Sequence, residues 1–178
     1  MSVVENRPAV SVVVPIHNGE RYVQEALDSV FAQTFRDFDV VCVDDGSTDR
    51  SLQLLEPYRS RLKVISQRNA GQSAARNRGV HASTGRYLAF LDQDDRWYQH
   101  KLAQQVALLE NRNGVVLAYC NSDRMDSEGR LLQVGATTAE QSRAKESLLG
   151  PFPSAGSSDQ PFAGQPAFPS SLATLVPS

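Results

Sequence analysis

The sequence predicts an α/β fold: a mostly parallel sheet flanked by helices on both faces. Three observations carry that prediction. Apolar, β-branched runs alternate with stretches of helical periodicity from about residue 9 to residue 120. The runs are continuous rather than alternating, as strands buried on both faces require. Each of the first four also ends at or leads into polar, chemically useful residues, and in open α/β sheets ligands gather at the carboxyl ends of the strands.

The elements follow in order. Residues 9–15, AVSVVVP, form a first buried strand. Tyr22, Val23, Ala26, Leu27, Val30 and Phe31 recur at helical spacing, which predicts a helix over about 20–33. FDVVCV, residues 38–43, is a second strand, after which Ser47 or Thr48 can cap a helix carrying Leu52, Leu55 and Tyr58. LKVIS, residues 62–66, is a third, weaker strand, followed by a helix over about 72–80. A fourth strand begins at Tyr87, and Leu102, Val106 and Leu109 lie on one face of a helix over 98–110. GVVLAYC, residues 114–120, is a fifth strand; a turn at 127–129 then enters one more short strand.

Composition narrows the function. A chain of 178 residues can bury a sizeable core, and its net charge of −2 predicts no broad basic surface and hence no nucleic-acid partner. Cys42 and Cys120 both lie in apolar runs and read as buried free thiols in a reducing compartment. No stretch approaches the roughly 20 apolar residues that span a bilayer, and the polar N-terminus does not read as a signal peptide. These features predict a soluble, cytoplasmic protein.

The most informative stretch is YLAFLDQDD, residues 87–95, where an apolar run stops at Asp92, Asp94 and Asp95. In extended backbone, side chains two apart point the same way, so Asp92 and Asp94 would converge. Two such carboxylates repel unless a cation or shared proton lies between them. A hard divalent ion that keeps open positions for phosphate meets that demand, whereas Asp95 alone reads as a helix cap. His17 borders the candidate pocket without an obvious partner. His81 and His100 read as surface residues, Trp97 as a packing residue, and Asp49 as a first-turn helix residue.

The strings SVVVPIHN, VDDGSTD, NAGQSAARNRG and FLDQDD, in this order and spacing, resemble the family-2 glycosyltransferases. The resemblance implies the nucleotide-diphospho-sugar transferase fold called GT-A, over roughly the first 120 residues. DQDDRWYQHKL is also similar to the family's pattern, although Gln99 stands where a proline is common. By resemblance, Asp45 and Asp44 would accept hydrogen bonds from base or ribose, and Pro15 would line the pocket floor. Asn18 and Gln93 would belong to the same donor site, and Arg76 would face the nucleotide. Asp94 would be the principal ligand of a Mg²⁺ or Mn²⁺ ion, with Asp92 its partner. The reaction implied is transfer of sugar from a nucleotide-diphospho-sugar, a UDP-sugar by preference. A hydroxyl of a saccharide or other acceptor would attack in one inverting displacement, in the cytoplasm or at the inner face of the membrane. PIHNGE stands where a dinucleotide-binding enzyme would carry GxGxxG, which argues against an NAD-dependent oxidoreductase.

The expected domain is 1–135, with 136–178 an atypical tail. Members of the family carry a catalytic base in a Glu-Asp pair downstream of the hairpin; no adjacent Glu-Asp pair follows Asp95. Beyond Gly150 six of the nine prolines crowd together around a single charged residue, Asp159. That segment reads as loop or disorder, unlike the family's acceptor half. The sequence therefore leaves the base unnamed. It poses a second reading beside the enzyme: a shortened nucleotide-sugar-binding module without transferase activity.

Overall fold

The computed structural model describes residues 7–111 and 115–134, and the backbone of 174–177. These fall into two compact units, with the break between Tyr119 and Cys120. In the first, strands β1 (Val10–Ile16), β2 (Phe38–Asp44), β3 (Lys63–Ser66) and β4 (Tyr87–Phe90) pair in parallel. With β5 (Ala118–Tyr119) and β8 (Thr174–Pro177) they form a sheet of order β3-β2-β1-β4-β8-β5. The helices are α1 (Val23–Phe31), α2 (Ser51–Leu54), α3 (Gln72–Ala82) and α4 (Lys101–Asn111), and Glu56–Tyr58 adds a 3₁₀ turn. The second unit contains a hairpin of β6 (Arg124–Met125) and β7 (Leu131–Gln133). Its turn is tied by the Asp126 carboxylate, which accepts the backbone N–H groups of Glu128 and Arg130.

Period-2 alternation divides the core. Val10, Val12, Val14 and Ile16 of β1 point to one face, where Ala26, Leu27 and Val30 of α1 and Leu102, Val106 and Leu109 of α4 cover them. Val41 and Val43 of β2 point to the other face and meet Ala75 of α3. Helix α3 owes its close seat to Gly79, where an added Cβ would lie 2.3 Å from Val13 Cγ1. Small residues at positions 75 and 79 therefore let α3 press on the sheet and carry Arg76 toward the end of β4.

Buried polar groups fix the remaining elements. Ser11 Oγ accepts the N–H groups of Thr84 and Gly85. Gln33, fully buried, donates to the carbonyls of Ser29 and Tyr98, and its Oε1 accepts the N–H of Leu102. It joins the end of α1 to the start of α4 and satisfies groups that helix termini leave open.

Four expectations change. Helix α2 begins at Ser51, because the amides of Ser47 and Thr48 are held by Asp44 and Asn18 before any helix starts. The fifth strand is two residues long, at a sheet edge, and residues 112–114 lie outside the described residues. Cys42 is buried but Cys120 is only half-buried; both are free thiols. Within the tail expected to be loop, residues 174–177 form a strand antiparallel to both β4 and β5. Backbone pairing asks no side-chain period of a sequence, so an irregular segment can supply it. The rest of the tail lies outside the described residues. Among the described residues, no helix is long and apolar enough to cross a membrane.

Candidate functional site

The carboxyl ends of β1, β2 and β4 open into a cleft of about 290 Å³, lined by Pro15, His17, Asp45, Gln72, Gln93 and Asp94 among others. Its floor comes from β1, whose chain then turns at Asn18 with a left-handed φ of 50°. Asparagine tolerates that conformation better than most residues. Asn18 Oδ1 accepts the N–H of Thr48 (2.8 Å), and its own N–H donates to Ser47 Oγ (3.0 Å). Gly19 N–H donates to Ser51 Oγ and Glu20 N–H to Asp49 Oδ2. The loops after β1 and β2 are thus zipped together, and the serine, threonine and aspartate of GSTD serve as rungs. Asp49, expected as a first-turn decoration, accepts the N–H groups of both Ser51 and Glu20.

Asp45, 3% exposed, is the brace of the opposite wall. Its carboxylate accepts Gln67 Nε2 (2.7 Å), the N–H of Ala70 (2.9 Å) and the N–H of Gly71 (2.8 Å). Burial works against its charge, but the hydrogen bonds from Gln67, Ala70 and Gly71 outweigh it and hold the carboxyl below its ordinary value. The loop that enters α3 is therefore folded around Asp45. The imidazole of His17 lies 2.9 Å from the Asp45 carbonyl through Nδ1, so that nitrogen carries the proton. Nε2 then accepts from Asn69 (3.1 Å) and Asn18 (3.3 Å). His17 has the partners the sequence did not reveal.

The carboxylates after β4 do not continue an extended strand. Asp95 N–H donates to the Asp92 carbonyl (3.0 Å), closing a turn with Gln93 and Asp94 at its centre. Asp92 faces α3, where its Oδ1 accepts Arg76 Nη2 (2.5 Å) and Gln72 Nε2 (3.1 Å). Burial raises the Asp92 pKa, an effect that Arg76 opposes and Asp94 reinforces. Asp95 is exposed as a residue, yet partial burial of its carboxyl and the charges of Asp92 and Asp94 push it up to about 6. Three acids beside one guanidinium leave excess negative charge. Asp94 accepts no hydrogen bond from any described residue and faces the cleft. That donor set fits a hard divalent cation. Among the described residues, no three acidic, histidine or cysteine side chains are grouped to hold a metal unaided. Such an ion would draw on ligand oxygens and water for the rest of its shell.

Of the residues singled out in the sequence, Pro15, Asp45, Gln93 and Asp94 line the cleft together. Arg76 and Asp92 pair with each other beside it. Asn18 and Asp44 are not among its lining: Asn18 ties the two loops, and Asp44, 2% exposed, accepts the Ser47 N–H. His17, which the sequence set at the border of the pocket, lines the cleft, and Asn69 and Gln72 line it beyond the residues the sequence singled out. Asn69 and Gln72 had a signal, since both belong to the NAGQSAARNRG string.

A parallel sheet with helices on both faces, an antiparallel strand beside β4 and acid-bearing turns at its carboxyl edge define a nucleotide-diphospho-sugar transferase fold. The sequence model of the family described as Glycosyl transferase family 2 matches residues 11–153, and the chain belongs to that family. It is 39% identical over 132 residues to an uncharacterized glycosyltransferase of Nostoc, a match covering 72% of this chain and 41% of that protein. It is 31% identical over 142 residues to one of Rickettsia prowazekii, covering 79% and 44%. The match thus spans less than half the length of these curated relatives. Among solved structures it resembles S. aureus TarS in complex with UDP (TM-score 0.55, 37% identity, 57% of this chain and 32% of that one). It also resembles the mannosyltransferase PcManGT from Pyrobaculum calidifontis in complex with GDP-Man and Mn²⁺ (TM-score 0.60, 26% identity, 66% and 36%).

Proposed function

We propose that the cleft binds a nucleotide-diphospho-sugar, with a UDP-sugar the favoured donor, for inverting transfer to a saccharide or other hydroxyl acceptor. The observation that carries this reading is Asp94, a carboxylate without a described partner, facing a cleft beside Asp92 and Asp95 at the end of β4. A diphosphate is itself anionic, and such a group beside three acids calls for a divalent cation between them. Asp94 would hold that ion, Mg²⁺ or Mn²⁺, with Asp92 adjacent; the ion would neutralise charge on the departing nucleotide.

The chain's own residues do the rest of the donor side. The wall built by Asp45, His17 and Asn69 offers polar groups to a base or ribose, over Pro15. Arg76 holds Asp92 in place, so that the acidic turn keeps its geometry when the cleft fills. The complex of TarS with UDP, at the higher of the two identities, supports uridine; the Mn²⁺ in the PcManGT complex supports the metal.

Calorimetry with UDP, GDP and uridine, each with Mn²⁺ and with chelator, tests the reading. UDP is expected to bind more tightly with Mn²⁺ than without, and more tightly than GDP. Equal UDP affinity in both conditions would remove the ion from the account.

A further inference from the structure

We infer that Gln93 is a positioning residue whose side-chain amide pins the acidic turn to the end of β1 and thereby sets where Asp94 sits. The inference deepens the donor-site reading above and rests on it. Gln93 occupies the first central position of the turn closed between Asp92 and Asp95. Its Oε1 accepts the backbone N–H of His17 (2.8 Å), and its Nε2 donates to the backbone carbonyl of the same residue (3.0 Å).

That pairing continues an interrupted ladder. Strands β1 and β4 pair from Val10↔Tyr87 to Val13↔Phe90, and Leu91 N–H adds a bond to the Val13 carbonyl. The β4 chain then turns away while β1 runs on to Ile16. Beyond it, the two backbone groups of His17 meet a primary amide in place of a neighbouring strand. Only glutamine has both the length and the donor–acceptor pair for this. Asparagine is one methylene short, and glutamate lacks the donor for the His17 carbonyl.

Gly19 supplies the room. A Cβ there would lie 2.4 Å from Gln93 Oε1 and 2.7 Å from its Cδ. The glycine is thus required by the clamp and not by a left-handed backbone, since its φ is not among the positive ones. With Asp92 held by Arg76 and Gln72, and Gln93 held by His17, the remaining central residue of the turn, Asp94, is left directed at the cleft.

The test compares wild type with Gln93→Met, Gly19→Ala, Gln93→Ala and the Gly19→Ala/Gln93→Ala pair. UDP affinity with Mn²⁺, uridine affinity and hydrogen exchange at the His17 amide are read for each. Loss of an outer support of a metal ligand typically weakens metal affinity about 10–100-fold. Gln93→Met should therefore weaken Mn²⁺-assisted UDP binding by about tenfold or more beyond any loss in uridine binding, and speed exchange at His17. Gly19→Ala should act likewise. The double variant should be no worse than Gln93→Ala, because the two changes break one contact. A merely structural role would lower UDP and uridine affinity alike, and that result would overturn the inference. So would a wild-type gain from Mn²⁺ that Gln93→Met keeps. No gain from Mn²⁺ in the wild type would overturn the donor-site reading and this inference with it.

Discussion

Arg76 Nη2 stands 2.5 Å from Asp92 Oδ1, joining helix α3 to the turn that follows β4. The two side chains are only 13% and 10% exposed, so each is the other's main source of compensation for burial. The packing of Gly79 against Val13 sets the height of α3 above the sheet, and hence the reach of Arg76.

Replacing Arg76 by methionine should lower unfolding free energy by about 3 kcal/mol, the lower end of the range for stranding one member of a buried pair. Arg76→Met/Asp92→Leu should recover part of that loss, because no charge is left uncompensated. Urea titration of the three proteins decides it. A single variant within about 0.5 kcal/mol of wild type, the range of ordinary surface substitutions, would show that the pair carries little.

Asp45 should make stability depend on pH in the acidic range. Its folded pKa lies below the ordinary carboxyl value, so its contribution is present above about pH 4 and fades as pH falls through the lowered folded value. The Asp45→Asn variant should be less stable at pH 6 and show a shallower loss below pH 4. Thermal unfolding across pH 3 to 6 checks this, and parallel curves for the two proteins would contradict it. Because three hydrogen bonds hold the loop entering α3, the variant should also weaken nucleotide binding without removing a phosphate contact.

Much of this was legible in the sequence, and the reasons are specific. The runs at 9–15 and 38–43 are β-branched and apolar without interruption, and they became β1 and β2 with shifts of one residue at their ends. Leu102, Val106 and Leu109 announced the buried face of α4. The ties were not legible. Asn18 to Thr48, Glu20 to Asp49 and Gln93 to His17 each join residues about 30 or more apart, and neither end has a local signature. Extended geometry for Asp92 and Asp94 was the wrong reason for their proximity, since a turn brings them together and Arg76 takes one of them.

The sequence of the tail reads as loop or disorder, yet β8 lies between β4 and β5. Its register sets Leu88 opposite Val176 and Ala89 opposite Leu175, just ahead of the acidic turn. Deleting residues 172–178 should therefore cost about 1–3 kcal/mol, from a few backbone bonds worth roughly 0.5–1.5 kcal/mol each. UDP binding should weaken as well, because β4 carries Asp92 and Asp94 to the cleft. Denaturant midpoints and UDP titration of the shortened chain give the answer, and unchanged values in both would return the segment to a passive role.

The central claim is that Asp94 serves the diphosphate through a cation, and one comparison tests it most directly. Titrate UDP and uridine into wild type and Asp94→Asn, each with Mn²⁺ and with chelator. Asparagine keeps the size of the side chain and removes its charge. Metal-assisted UDP binding should fall by about tenfold or more, equivalent to about 1.4 kcal/mol or more, while uridine binding and chelated UDP binding stay close to wild type. Equal UDP affinity in wild type and Asp94→Asn with Mn²⁺ present would contradict the account.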